Sequence, residues 1–172
     1  MRRLDPGAGD PGAGRAMSER LEVPEPLAAA LAEFDSLDRG LRAEMLIEAA
    51  DRFEGVPAEV ASRPYDEEHR VPRCESEAYL YATDREDGTL KLWFAVENPQ
   101  GVSAKAWAVI LDETLSGQPL EQLVCVPQDV VFRIFGRDVS MGKGQGMVGM
   151  LEQAQFEARR RLEQRRRERE GL

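Results

Sequence analysis

The chain has 172 residues, of which 42% are hydrophobic and 32% charged, and its formal net charge is −9. That is enough apolar material for one core, so we predict a single domain, and the acidic balance argues against nucleic-acid binding, which calls for a basic footprint. No apolar run reaches the ~18 residues that a membrane span requires, so we expect no membrane association.

The N-terminal segment is rich in glycine and proline. It contains Asp-Pro-Gly-Ala-Gly twice, and this composition cannot bury enough surface to offset chain entropy. We predict that residues 1–17 are disordered, with Met17 as an alternative start that an intact mass including residues 1–16 would exclude. The segment lacks the apolar stretch of a secretory signal. Two distant cysteines make a poor disulfide framework, so we expect a cytoplasmic protein with reduced thiols.

Two helices are predicted next. Apolar residues at helical spacing follow Pro24, and the N-cap candidates for a second helix that ends near Phe53 are Asp35, Ser36 and Asp38. The residues from Pro57 to Arg73 are predicted to form an irregular connector. The apolar face predicted for the second helix consists of Leu41, Met45, Leu46, Ala49 and Phe53.

A β-hairpin is predicted at Glu77–Thr83 and Leu90–Val96, because Asp87-Gly88 between them is a strong turn signal. The second strand alternates with period two, which predicts one buried face formed by Leu90, Leu92, Phe94 and Val96. Since a two-stranded sheet is marginal, we predict a third short strand within Pro64–Val71.

The rest of the chain is predicted to be helical. Residues 103–117 are apolar nearly all round and predict a buried helix that ends at Gly117. Pro119–Val124 and Gln128–Phe135 predict short helices, and a long helix starts near Gly144. Strands segregated from helices indicate an α+β fold, with a small antiparallel sheet packed against helices.

The C-terminal residues 161–172 are predicted to be a charged helical tail. Seven arginines lie between Arg159 and Arg169 with glutamates interleaved, a pattern that suits the end of a helix. We favour a solvated helix end over an RNA-binding or partner-binding tail.

Cys74 is the candidate reactive residue, because it lies among charges in the stretch HRVPRCESEAYLY. Cys125 lies in an apolar run and is predicted to be buried and inert. The chain has three Cys or His residues in all, too few for a closed zinc site, so we expect no metal. The KGQG sequence lacks the ending of a phosphate loop.

The motif Val71-x-x-Cys74-x-Ser76, followed by Tyr79, resembles the sulfur-acceptor loop of the SufE family. Members of that family are the partners of cysteine desulfurases in iron–sulfur cluster assembly. The residues 67–70 before the motif, Lys105, and the helix entry at residues 143–147 are also similar to the family pattern. The resemblance covers about residues 24–160 and implies a SufE/IscU-like domain over residues 18–160.

The resemblance implies that Cys74 accepts the outer sulfur of a persulfide from a SufS-like desulfurase and carries it to a cluster scaffold of the SufBCD type. It implies an accessory protein rather than an enzyme, with no cofactor of its own, because pyridoxal phosphate belongs to the desulfurase. The residues expected to support Cys74 or to contact the partner are His69, Arg70, Arg73, Ser76, Lys105 and Lys143.

Several of these roles stay open at this point. His69 is expected to be a loop hydrogen-bonder rather than a general base. Ser76 either donates to the sulfur or caps the turn. Lys143 is either a partner contact or a solvated lysine.

The sequence departs from the family pattern at three places. Arg73 stands where the family usually has glycine, which predicts a stiffer loop or a different turn. Lys143 replaces an arginine, and the usual acidic residue before the buried helix is missing near Gln100 and Gly101.

The charges around Cys74 nearly cancel. Arg70 and Arg73 favour the thiolate, whereas Glu75 and Glu77 oppose it, so we expect a nucleophile of moderate strength. Two other functions remain as alternatives. One is a non-catalytic scaffold or interaction protein on the same fold. The other is a thiol-dependent redox enzyme, which is disfavoured because the chain lacks a Cys-x-x-Cys motif.

Overall fold

The computed structural model describes residues 23–171. The predicted disorder of residues 1–17 and the alternative start at Met17 lie outside the described residues. The order of helices and strands confirms the α+β prediction. The elements are α1 (Glu25–Asp35), α2 (Arg39–Asp51), a 3-10 turn (Glu67–His69), β1 (Ala78–Asp84), β2 (Leu90–Val96), α3 (Val102–Leu115), α4 (Leu120–Cys125), α5 (Val130–Phe135) and α6 (Met141–Glu170).

Side-chain caps set where two of the helices begin. Of the three N-cap candidates, Asp38 caps α2, since its carboxylate accepts a hydrogen bond of 2.9 Å from the Leu41 N–H. The Ser140 hydroxyl accepts from the Lys143 N–H at the start of α6. Because of this cap, α6 begins at Met141, earlier than the predicted start near Gly144.

The sheet is a single antiparallel pair, with Ala78 opposite Val96 at one end and Asp84 opposite Leu90 at the other. The predicted third strand is wrong for residues 23–171. Arg70 forms only an isolated bridge with Tyr79, although the Val71 N–H still donates to the Ala78 carbonyl over 2.8 Å.

Both faces of the hairpin are covered. Leu90, Leu92 and Phe94 point into the main core, as the alternation predicted, and pack with α3. The opposite face carries Tyr79, Tyr81 and Ala95, which are also buried. The prediction of one buried face was therefore incomplete, because the connector between α2 and β1 folds over the second face. The covering connector residues are Val56, Val60, Ala61 and Tyr65.

The main core is built around α3, whose Trp107 is fully buried. Two predictions about this core are wrong. Leu41 is 50% exposed and does not belong to the buried face of α2. Cys125 is exposed rather than buried, because α4 turns Leu120 and Leu123 toward the core and leaves the thiol on the other side.

The C-terminal half of α6 lies against the hairpin. Arg161 donates to the Ala82 carbonyl over 3.0 Å and Arg165 donates to the Gly88 carbonyl over 2.6 Å. Arg161 also forms a buried ion pair with Glu157. Two arginines of the predicted tail thus attach this helix to the sheet, while those at the far end remain exposed. None of the helices within residues 23–171 combines the length and apolar character needed to cross a membrane.

Candidate functional site

Cys74 lies in a tight turn between the bridge at Arg70 and the start of β1. The Glu77 N–H donates to the Cys74 carbonyl over 3.2 Å and closes the turn. Arg73 and Glu77 both adopt left-handed backbone conformations, with φ of 58° and 50°. Each costs about 1–2 kcal/mol for a residue with a Cβ. Arg73 therefore keeps a conformation that glycine would adopt without strain, and two strained residues flank the cysteine.

The turn rests on three glycines of α6, which we call the glycine face: Gly142, Gly146 and Gly149. A Cβ built on Gly146 would stand 3.2 Å from the Cys74 Cα and 3.5 Å from its Sγ. A Cβ on Gly149 would stand 2.9 Å from the Pro72 carbonyl oxygen. The loop backbone approaches the helix this closely because these positions lack side chains.

Cys74 is half-buried and faces a cavity of about 390 Å³ between the loop, the start of α3 and the start of α6. Ala104, Met147 and Met150 supply apolar walls, whereas Ser76 and Lys143 supply polar lining. Since Ala104, Met147 and Met150 are buried, one side of the cavity is part of the core. The volume leaves room beside the thiol for a further atom such as sulfur.

The two arginines near Cys74 are each paired with a carboxylate. The Arg73 Nη2 lies 3.6 Å from Glu152 Oε2 on α6. The Arg70 Nη1 lies 3.6 Å from Glu67 Oε2. Both arginines that we expected to favour the thiolate thus have a carboxylate partner, which offsets part of their effect on the sulfur. A Cβ on Gly142 would stand 2.9 Å from Glu75 Oε1, so the Glu75 side chain also lies against the start of α6.

His69 is built into the support of the loop. Its Nδ1 lies 3.0 Å from the Leu80 carbonyl oxygen, and its ring stacks on Tyr81 with 4.1 Å between centroids. Burial raises the pKa of Tyr81, whose hydroxyl accepts from the Asp66 N–H over 3.3 Å. These contacts place His69 as a hydrogen-bonding residue between the connector and β1.

A metal could be held near His69 but not by Cys74. Within residues 23–171, the group of ligand atoms suited to an ion belongs to Asp66, Glu68 and His69, with all three atoms within 4.8 Å of one another. The two carboxylates are exposed, and exposed acidic groups of this kind are common without a metal. The thiol is not part of the group.

The other expected site residues lie at different distances from the thiol. Ser76 lines the cavity, and its hydroxyl lies 3.1 Å from where a Gly101 Cβ would stand. Lys143 is exposed on the cavity rim. Lys105 instead donates to the Pro99 carbonyl over 3.3 Å, which ties α3 to the loop before it. The structure thus brings Ser76 and Lys143 to the cavity with Cys74, while Lys105 braces the loop that follows β2.

Two features were missed in the sequence. The first is the glycine face, of which only Gly146 and Gly149, three residues apart, lay within the predicted helix and gave a visible signal. The second is Glu152, whose Oε1 accepts a 2.7 Å hydrogen bond from Gln128 Nε2 while its Oε2 faces Arg73. Nothing local in the sequence links Glu152 to the cysteine loop.

Comparison with known proteins identifies the family of the chain. Over residues 28–158 the chain matches the SufE family, described as an Fe-S metabolism associated domain. Two proteins from strains CDC 1551 / Oshkosh and ATCC 25618 / H37Rv of Mycobacterium tuberculosis, each described as an uncharacterized SufE-like protein, are 24% identical over 113 residues, covering 66% of this chain and 76% of theirs.

The fold also has a solved counterpart. It resembles the solution structure of a hypothetical protein from Thermus thermophilus, with a TM-score of 0.63 and 30% identity over 81% of this chain and 98% of that one. The family match, which covers more than half of the chain, and the shared fold lead to one conclusion. The chain belongs to the SufE family, which is associated with iron–sulfur metabolism.

Proposed function

We propose that the protein accepts sulfur from a SufS-like cysteine desulfurase as a persulfide on Cys74 and delivers it to a SufBCD-type scaffold for iron–sulfur cluster assembly. The observation that carries the proposal is the position of the thiol, which is docked on Gly146 and faces a cavity with room for a second sulfur. Membership of the SufE family supports the same function.

The transfer is a thiol exchange. The Cys74 thiolate attacks the outer sulfur of the donor persulfide, a new S–S bond forms on Cys74, and the donor cysteine leaves as a thiolate. Delivery repeats the exchange with an acceptor thiolate, which restores the Cys74 thiolate. Because the electrons and atoms balance within each exchange, this chain needs no cofactor. It acts as an accessory carrier, and pyridoxal phosphate belongs to the desulfurase.

The docked position suits a carrier between the two exchanges. A persulfide that points between Ala104, Met147 and Met150 is shielded from small thiols and oxidants by the apolar walls. Exchange with another protein requires the sulfur to leave this position. The loop meets Gly146 and Gly149 mainly through its backbone at residues 72–74, so this part of the loop can separate from α6 while Val71 stays in the core.

The test is to incubate the protein with a cysteine desulfurase and free cysteine, and then to map the adduct by mass spectrometry. We expect a gain of about 32 Da, one sulfur, on Cys74 and faster sulfide release by the desulfurase. Cys74→Ser should abolish both effects, whereas Cys125→Ser, a matched loss of an exposed thiol, should preserve both.

Other results would contradict the proposal in defined ways. Activation of the desulfurase by Cys74→Ser would support an interaction protein without sulfur chemistry. A stable Cys74–Cys125 disulfide in place of the adduct would support a thiol redox function.

A further inference from the structure

The strained turn at Arg73 is held by a side-chain contact that joins three separate parts of the chain. The Arg73 guanidinium reaches Glu152 in the middle of α6, at 3.6 Å. The other oxygen of the same carboxylate accepts the 2.7 Å hydrogen bond from Gln128, in the linker between α4 and α5. Glu152 is therefore fixed from one side by Gln128 and presents its remaining oxygen to the cysteine loop.

We propose that Gln128, Glu152 and Arg73 form a latch that holds Cys74 in the docked position, with Glu152 as the positioning residue. In the latched state the thiol stays against Gly146 and is partly hidden from solution. In the released state the loop leaves the glycine face and the sulfur becomes accessible to another protein. The role of this step in sulfur transfer rests on the proposed function, whereas the latch itself is a property of the isolated chain.

The strength of the contact suits a latch that opens. The side chains of Arg73 and Glu152 are 61% and 41% exposed, so solvent and salt screen their attraction. Exposed ion pairs of this kind change an equilibrium by about two- to fivefold. The left-handed backbone at Arg73 acts in the opposite direction, because release of the turn relieves its strain. The weak ion pair favours the latched state, and the backbone strain at Arg73 favours release. The free energy needed to release the loop is therefore small.

The latch can be tested without any desulfurase by measuring how fast iodoacetamide, a neutral reagent, alkylates Cys74 in a Cys125→Ser background. The rate is measured across pH. Its high-pH plateau reports access to the thiol, and its midpoint reports thiol ionisation. We expect Glu152→Gln to raise the plateau by about two- to fivefold. Gln128→Ala, which leaves every charge in place, should raise it less but in the same direction.

A matched control comes from the same helix. Glu163→Gln removes one charge from a carboxylate that is 43% exposed and paired with Arg166 and Arg167, away from the loop. We expect its plateau to equal that of the parent. Higher salt should raise the plateau of the parent and of Glu163→Gln, but not that of Glu152→Gln, because that variant has no ion pair left to screen.

Each result separates the latch from a general change in charge or folding. A plateau for Glu152→Gln equal to that of Glu163→Gln would overturn the latch, as would a shift of the midpoint alone. Additive effects of Arg73→Gln and Glu152→Gln on the logarithm of the plateau rate would also overturn it, since partners in one contact must be coupled. A raised plateau together with full sulfur transfer by Cys74→Ser would leave the latch standing and refute the proposed function.

Discussion

The two halves of α6 hold their neighbours in opposite ways. The N-terminal half presents Gly142, Gly146 and Gly149 to the cysteine loop, and the loop backbone rests on bare helix. The C-terminal half extends Arg161 and Arg165 to carbonyl groups of the hairpin. The first contact depends on the absence of side chains on the helix and the second on long, charged ones, so one helix holds its two neighbours by different means.

Burial predicts that the ion pairs in the two halves of α6 differ in strength. The side chains of Glu157 and Arg161 are 7% and 11% exposed, whereas those of Glu152 and Arg73 are 41% and 61% exposed. Breaking a buried pair leaves an uncompensated charge inside the protein, while breaking an exposed pair returns both groups to water. The hairpin contact should therefore dominate stability, and the loop contact should govern access to the thiol.

The largest effect is expected from Arg161→Ala. It removes the more buried of the two arginines that pair with Glu157, leaving Arg160, and also removes the hydrogen bond to the Ala82 carbonyl, so the free energy of unfolding in urea should fall by about 2 kcal/mol. Arg167→Ala, at an exposed position of the same helix, should change it by less than about 0.5 kcal/mol. A loss below about 1 kcal/mol for Arg161→Ala would mean that the hairpin contact is as weak as an exposed pair.

An intermediate effect is expected from Gly149→Ala. The added methyl group would stand 2.9 Å from the Pro72 carbonyl oxygen and 3.1 Å from Val71 Cγ1, so the loop must shift. Overpacking costs about 1–3 kcal/mol and outweighs a helix-propensity gain of about 1 kcal/mol. We expect a net loss of about 1 kcal/mol in urea unfolding and faster alkylation of Cys74.

The control for this change is Gly40→Ala in α2. Its added methyl group would have a nearest neighbour at 3.4 Å, so the substitution should stabilise the protein by about 0.5–1 kcal/mol. Equal stabilisation by both substitutions would show that the loop does not depend on the glycine face.

The smallest expected effect is the difference in stability between Arg73→Gly and Arg73→Ala. Both remove the ion pair with Glu152, so the difference between them reports the cost of a Cβ at φ of 58°. We expect Arg73→Gly to be more stable than Arg73→Ala by about 0.5 kcal/mol in urea unfolding, because the greater entropy of glycine in the unfolded chain offsets part of the relieved strain. Equal stabilities would mean that the turn relaxes out of the left-handed region once the arginine is gone.

The same substitution also tests whether the stiffness of the loop limits sulfur transfer. Arg73→Gly should accept sulfur faster from a desulfurase if stiffness of the loop limits the exchange. An unchanged or slower rate would instead mean that Arg73 makes a contact that the exchange needs.

Local pattern was sufficient to predict the hairpin and most helices. The alternation of Leu90, Leu92 and Phe94 predicted their shared face because period two is a property of the strand itself. The burial of Ala95 and Tyr79 on the other face was missed, because it depends on a distant connector that folds over them. The exposure of Cys125 was missed for a related reason. A short apolar run does not reveal which of its residues a six-residue helix turns outward.

In the candidate site, too, local sequence predicted some residues, whereas others depend on tertiary packing. Cys74 was predicted from a local motif, and the glycine at the corresponding family position predicted a stiffer loop or a different turn at Arg73, which in the structure has a φ of 58°. The partners of Arg73 were not found, because Glu152 and Gln128 are far away in sequence and meet the loop only after α6 has packed. Pairing of this kind is a property of the tertiary structure.

The hydrogen bond between Trp107 and α6 gives the protein an internal optical reporter. The indole Nε1 donates to the Met147 carbonyl over 2.8 Å, and Met147 follows Gly146 and lines the cavity beside the thiol. The other tryptophan, Trp93, lies on the hairpin, so its replacement leaves one emitter, which is hydrogen-bonded to a residue that lines the cavity. Fluorescence of that single indole would follow loading and unloading in real time, without a dye.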